Sequence, residues 1–291
     1  MHDELVRATS GSGGLAVWAI VGTDLVAEAA QRHGTSPTVS AALGRALMGA
    51  ALLAAGAKNG ETVQLQFRGS GPLGSMVAIA DATGRVRGYA SNPSAHPPPR
   101  NGRLDLPAAI GKGVLAVVRH RPGWHPYSGI VPLATGTVAQ DIAQYLATSE
   151  QARTAVALGV YLGDEGIEAA GGFFVHALPG ASDDEIEQAE ENIRGYPGPG
   201  EMVREGLDGT AIAERLLTGL APRELERSRP RFDCPCGRER AVRTLLLLGE
   251  KDVAQAIRRE EVLEVRCEFC GEYYRVDPVE IADRLREEAA T

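Results

Sequence analysis

Phe232-Asp233-Cys234-Pro235-Cys236 and Cys267-Glu268-Phe269-Cys270 contain all four cysteines of this 291-residue chain. Each short motif puts two sulfurs on one tight turn, and folding brings the turns together. That is the sequence form of a tetrahedral zinc site. Four thiolates close the coordination shell and leave no position for water or substrate. Cys234, Cys236, Cys267 and Cys270 therefore read first as the ligands of a structural zinc ion. Four free thiols are the plain alternative.

The Cys234-Pro235-Cys236 half is unusual, with one intervening residue where most zinc knuckles have two or more. Residues two apart in an extended segment sit near the upper limit of disulfide Cα separation, so a Cys234–Cys236 bridge is reachable with strain. Strained bridges are readily reduced and tend to be regulatory. The site is a candidate switch between a zinc-thiolate state and a disulfide state.

Composition places the chain among globular proteins, with 44% hydrophobic and 23% charged residues. The length suits one sizeable domain and a small one. A net charge of −8 argues against a protein whose main task is gripping nucleic-acid phosphates. Met1-His2-Asp3-Glu4 does not read as a secretory signal, so a cytoplasmic setting is expected. Cysteines in a reducing compartment are metal ligands or redox sensors more often than a structural disulfide framework.

Outward from the cysteines, the first 179 residues read as an α+β domain with a largely antiparallel sheet, because runs of strands lack regular βαβ alternation. Leu15–Val21 and Leu25–Arg32 are expected as a hairpin across Gly22-Thr23-Asp24. Ser36-Pro37 supplies an N-cap and an N1 proline for a helix to about Ala57. That helix is apolar nearly all round, but Arg45 interrupts the run, so a buried core helix is expected rather than a membrane span. Strands follow at 61–68, in a hairpin over 75–90, and at 113–119, 127–133, 153–162 and 166–178, with a helix over 137–149. Gly69-Ser70-Gly71-Pro72-Leu73-Gly74 fits a dinucleotide-binding string, but a strand pattern follows it where a phosphate site needs a helix, so it reads as a strand connection. His96 falls in a proline-rich surface loop over 92–100 and reads as solvated, while His120 and His125 lack a nearby carboxylate or cysteine partner in sequence and read as surface or core residues.

Residues 180–230 change character. Twelve acidic residues stand against six basic ones, and glycines and prolines break the segment. Short helices are expected at 183–194 and 210–217, and helices of that length are marginal unless something packs on them. The pattern suits a solvated linker and a metastable, meltable segment equally. Residues 231–291 hold the cysteines, with helices at 238–248 and 250–259, strands at 262–266 and 272–276, and a last helix from Pro278 through Glu288. So small a core is marginal by itself. Arg238, Arg240 and Arg266 are candidates to offset the −2 charge of a Cys₄ zinc shell.

The chain resembles the 33-kDa heat-shock protein family of bacterial redox-regulated holdase chaperones. Ala42-Leu43-Gly44-Arg45-Ala46-Leu47, the 69–74 glycine segment, Arg87-Gly88-Tyr89 with Asn92-Pro93, Tyr127-Ser128-Gly129-Ile130-Val131, and Tyr145 with Ser149-Glu150-Gln151 carry the resemblance. The two cysteine motifs are its most specific part. Gly237 departs from the pattern, where a serine is expected. The resemblance implies ATP-independent, non-enzymatic binding of unfolding client proteins in the cytoplasm. It implies a form dormant when reduced and holding one Zn2+, and active when Cys234 pairs with Cys236 and Cys267 with Cys270. A homodimer is implied for the active form; apart from the resemblance, the net acidity and the interrupted apolar run lead to the expectation of no nucleic-acid or membrane partner.

A zinc-ribbon nucleic-acid module is the first rival, opposed by the net acidity. A zinc hydrolase or deaminase is the second. It needs an open metal position and a general base, and a shell closed by four sulfurs leaves no such position.

Overall fold

The computed structural model describes residues 2–57 and 60–289. The chain divides into two compact units, Met1–Asp233 and Cys234–Thr291.

In the first unit β1 (Glu4–Thr9) and β2 (Leu15–Val21) form the opening hairpin, followed by α1 (Thr23–His33) and α2 (Pro37–Ala54). Next come β3 (Thr62–Gly69), β4 (Ser75–Asp81), β5 (Arg85–Ala90), α3 (Leu106–Ile110), β6 (Gly113–His120) and β7 (Tyr127–Pro132). Then follow α4 (Ala139–Ser149), β8 (Thr154–Gly163) and β9 (Gly166–Ala177). The 180–230 segment contributes α5 (Asp183–Gly195), α6 (Pro199–Arg204), α7 (Gly209–Leu216) and β10 (Arg223–Ser228), and β11 (Arg231–Phe232) closes the unit. One sheet has the order β10-β1-β2-β9-β8 and the other β11-β5-β4-β3-β6-β7. Every pairing is antiparallel except that of β11 with β5.

Helix α2 lies between the sheets, packing on β3, β4 and β5 of one and on β2, β8 and β9 of the other. Two apolar neighbours explain why its sequence is apolar all round. It is long and apolar enough to cross a membrane, but 89% of that window is buried inside the fold. Ser36 caps it as expected, its hydroxyl accepting the Val39 N–H at 3.2 Å. Glycines on the helix let neighbours approach: a Cβ on Gly49 would lie 2.6 Å from Ile142 Cδ1.

The expected Leu25–Arg32 strand is helix α1, and the hairpin partner of β2 is β1. Leu25, Val26 and Ala29 form a short helical stripe toward the core, and Gly34 ends the helix in the left-handed region at φ 58°. Gly22 gives α1 no side-chain cap. Asp3 does so from a distance, accepting the Asp24 and Leu25 N–H groups at 2.9 and 2.6 Å.

The acidic segment packs within the first unit. Its helices bury Met202, Ile212, Leu216 and Leu217 against Leu15, Val17, Phe173 and Val175 on the outer face of the five-stranded sheet. Helix α6 can sit there because β8 and β9 are glycine-rich beneath it: a Cβ on Gly159 would lie 2.6 Å from Gly200 N, and one on Gly171 2.8 Å from the Pro199 carbonyl.

The second unit contains α8 (Arg238–Leu245), a 3₁₀ turn at Leu246–Leu248, α9 (Glu250–Arg258), the hairpin β12 (Leu263–Arg266) and β13 (Tyr273–Val276), and α10 (Pro278–Ala289). Its core is Val242, Leu245, Val253, Val276 and Ile281, with a few half-buried neighbours.

Candidate metal centre

Two short turns present the four sulfurs. The first follows β11, where Cys234-Pro235-Cys236, outside any helix or strand, leads into Gly237, the extended N-cap of α8. The second is the tip of the β12–β13 hairpin. There Cys267 N–H donates to the Glu272 carbonyl at 2.9 Å and Gly271 N–H to the Cys267 carbonyl at 2.8 Å. Gly271 sits at φ 74°, a left-handed turn that suits glycine, and so the backbone folds Cys270 back beside Cys267.

All four Sγ atoms lie within 4.8 Å of one another. Cys234 and Cys267 approach to 3.8 Å and Cys236 and Cys270 to 3.3 Å. Zinc–sulfur bonds of about 2.3 Å put tetrahedral sulfurs about 3.8 Å apart, so the cluster has the dimensions of a four-sulfur metal site. The residues fit. Cys270 is buried and the other three are half-buried.

Burial pushes the Cys234 thiol up to about 11 and the Cys270 thiol higher still. Burial pushes Cys236 the same way, but hydrogen bonds from Tyr274 and the neighbouring thiols outweigh it and leave Cys236 below its ordinary value. Cys234 and Cys270 thus resist ionisation unaided. A divalent cation held among the four sulfurs would supply the missing stabilisation.

Tyr274 was not visible as a site residue in the sequence. Its hydroxyl lies 3.0 Å from Cys236 Sγ, placed by the antiparallel register that sets Tyr274 opposite Val265. Only a hairpin register, read residue by residue from the knuckle, singles it out from Tyr273. Two of the arginines expected to offset the cluster's charge are engaged elsewhere: Arg238 forms a 2.6 Å ion pair with Glu280, and Arg266 lies over the Tyr273 ring at 5.5 Å. The remaining sequence candidates stay outside the site. His96 is exposed, its Nδ1 2.7 Å from the Thr38 hydroxyl, and His120 and His125 are exposed on the β6–β7 hairpin. The 69–74 segment joins β3 to β4 as expected, with Gly71 N–H donating to the Ile110 carbonyl at 2.9 Å.

A family model described as Hsp33 protein matches residues 3–277. A 33 kDa chaperonin of Geobacter sulfurreducens is 42% identical over 287 residues, covering 98% of this chain and 95% of that protein. One from Thermus thermophilus is 41% identical, covering 97% and 86%. The crystal structure of a 33 kDa chaperonin, a heat shock protein 33 homolog from Thermotoga maritima, superposes with a TM-score of 0.93 at 31% identity, covering 100% of both chains. With family model, relatives and fold in agreement, this chain belongs to the Hsp33 protein family, whose curated relatives are named 33 kDa chaperonins.

Proposed function

We propose that the chain is a redox-regulated, ATP-independent holdase of the cytoplasm that binds unfolding proteins and performs no catalysis. The observation that carries this reading is the convergence of all four cysteines on one metal-sized cluster in the unit with the smaller core. In the dormant form Cys234, Cys236, Cys267 and Cys270 hold one Zn2+. When bound, zinc keeps the sulfurs as thiolates and ties the two turns together. Thiolates are what oxidants attack. Two equivalents of peroxide take four electrons from the four sulfurs, close Cys234–Cys236 and Cys267–Cys270, and leave as water. Oxidised pairs no longer serve as ligands, and the 231–291 domain loses its staple.

Residues 180–230 then act as the metastable linker between that domain and the 1–179 core. Helices α5, α6 and α7 cover an apolar sheet face, and their departure exposes surface of the kind that takes up unfolded clients. The active form is proposed to be a homodimer, with neither nucleic acid nor membrane as partner.

The test exposes reduced protein to hypochlorite, or to peroxide with mild heat, without nucleotide, and follows light scattering of a thermally unfolding client. Suppression by the oxidised form alone, with release of one zinc per chain, is expected. Equal suppression by both forms sinks the switch.

A further inference from the structure

The segment from Leu220 to Asp233 straps together the edges of both sheets in the first unit. Gly11 N–H donates to the Leu220 carbonyl at 2.8 Å, and β10 then runs antiparallel to β1 from Thr9↔Arg223 to Leu5↔Ser228. Arg229-Pro230 crosses the β4–β5 turn so closely that a Cβ on Gly84 would lie 2.7 Å from the Arg229 carbonyl. Next, β11 lies parallel to β5, with Arg231 N–H on the Gly84 carbonyl and Asp233 N–H on the Val86 carbonyl, both at 2.8 Å. The following residue is Cys234.

The two strands of the β1–β10 ladder are held by different forces. Strand β1 is anchored by its own side chains, with Leu5, Val6 and Ala8 at 5, 0 and 3% exposure. By contrast, β10 reads Arg-Glu-Leu-Glu-Arg-Ser, and its one apolar side chain, Leu225, is 54% exposed. The bulge at Arg7/Ala8 leaves Leu225 without a partner in the register. Arg227, itself half-exposed, adds an ion pair to the largely buried Glu4 at 2.9 Å and a hydrogen bond to Thr210 at 2.7 Å. Main-chain hydrogen bonds run along the ladder from Leu5 to Thr9. Any extended polypeptide makes the same bonds.

We infer that the β1 edge is a client-binding site, taking by strand addition the extended backbone of an unfolded polypeptide in the place β10 vacates. The inference rests on the proposed function, which supplies the release of the strap. An unpaired strand with a buried apolar flank is a template for pairing. Affinity from main-chain bonds is also tolerant of sequence, as a holdase requires. The occupant seen here, a charged segment whose Arg223, Leu225, Glu226 and Arg227 are exposed, shows that the edge accepts a strand on backbone terms.

Hydrogen exchange on the full-length protein tests this, with reduced, carboxymethylated α-lactalbumin as a permanently unfolded client. Oxidation is expected to raise exchange in residues 5–9 and 223–228, and client to restore protection at the alternate β1 amides that face β10 by about tenfold or more. Client that binds while residues 5–9 exchange as in the client-free oxidised protein overturns the strand-addition site and leaves the holdase reading standing. Retention of the β1–β10 protection after oxidation overturns it too. Failure of the oxidised protein to bind client at all removes the proposed function along with it.

Discussion

Glu185 uses one carboxylate in two places. It completes a capping box with Ser182, whose N–H donates to it at 3.2 Å, and it reaches across to the Ser10 hydroxyl at 3.2 Å and to that of Ser12. The Ser12 hydroxyl and the Ser182 amide hold its carboxyl below the usual value of 4.5. A depressed folded value means that this contribution to the seating of α5 is complete above pH 4.5 and is lost as pH falls through the lower folded value. Protection factors of amides 183–195 are expected to stay level from pH 8 to 5 and to fall on further acidification, and Glu185→Ala is expected to lower them at pH 7. Level protection into the acid range, or an unchanged variant, contradicts the staple. Tyr274 is the equivalent detail at the metal centre. Removing its hydroxyl in Tyr274→Phe takes away the donor 3.0 Å from Cys236 and is expected to weaken metal binding about tenfold, as loss of an outer hydrogen bond to a ligand does. Competition against a chromogenic chelator reads the change, with Tyr273→Phe as the control that leaves affinity alone.

Among the elements, α6 depends most on what lies beneath it. A side chain at Gly159 meets the Gly200 backbone, which cannot rotate away, so Gly159→Val is expected to lift α6 and expose Met202 and Val203. The variant should suppress client aggregation while still reduced and metal-loaded, and should bind an apolar dye where the parent does not. A reduced variant as silent as the parent excludes this route. Nothing in the sequence announces α6, whose Pro-Gly-Glu-Met-Val-Arg is too short to show a helical period. Strand β10 is hidden for a related reason: backbone bonds hold it, so its residues carry no alternation. Elements that bury a face were legible. The Ser36-Pro37 start of α2, the β4–β5 hairpin and the helices of the second unit all follow their patterns to within a few residues. Helix α1 failed because three inward residues, Leu25, Val26 and Ala29, are too few to tell one period from the other beside a Gly-Thr-Asp turn. The cysteine cluster was legible from spacing alone, whereas Tyr274 needed the register of the hairpin.

At the scale of the whole molecule, the two units have unequal means of staying folded. The first has a helix buried between two sheets, while the second is built on a five-residue apolar cluster and four sulfurs. A core of that size supplies on the order of 3–5 kcal/mol, against an apparent 10–16 kcal/mol for a structural zinc site near neutral pH. On the proposed reading, removing metal under reducing conditions should therefore unfold the second unit and spare α2. Hydrogen exchange after a strong zinc chelator is expected to strip protection from 238–289 at once and leave 37–54 protected. Residues 180–230 should respond between these extremes. Their helices are built into the apolar cluster with Leu15 and Phe173, which resists release, yet β11 and the strap lead directly into Cys234 and lose their far anchor. The expected result is a lower thermal midpoint for exchange in 180–230 in the chelated protein than in the zinc-loaded one, with the α2 midpoint unmoved. Equal midpoints for 180–230 in the two states would separate the metal centre from the segment it is proposed to govern.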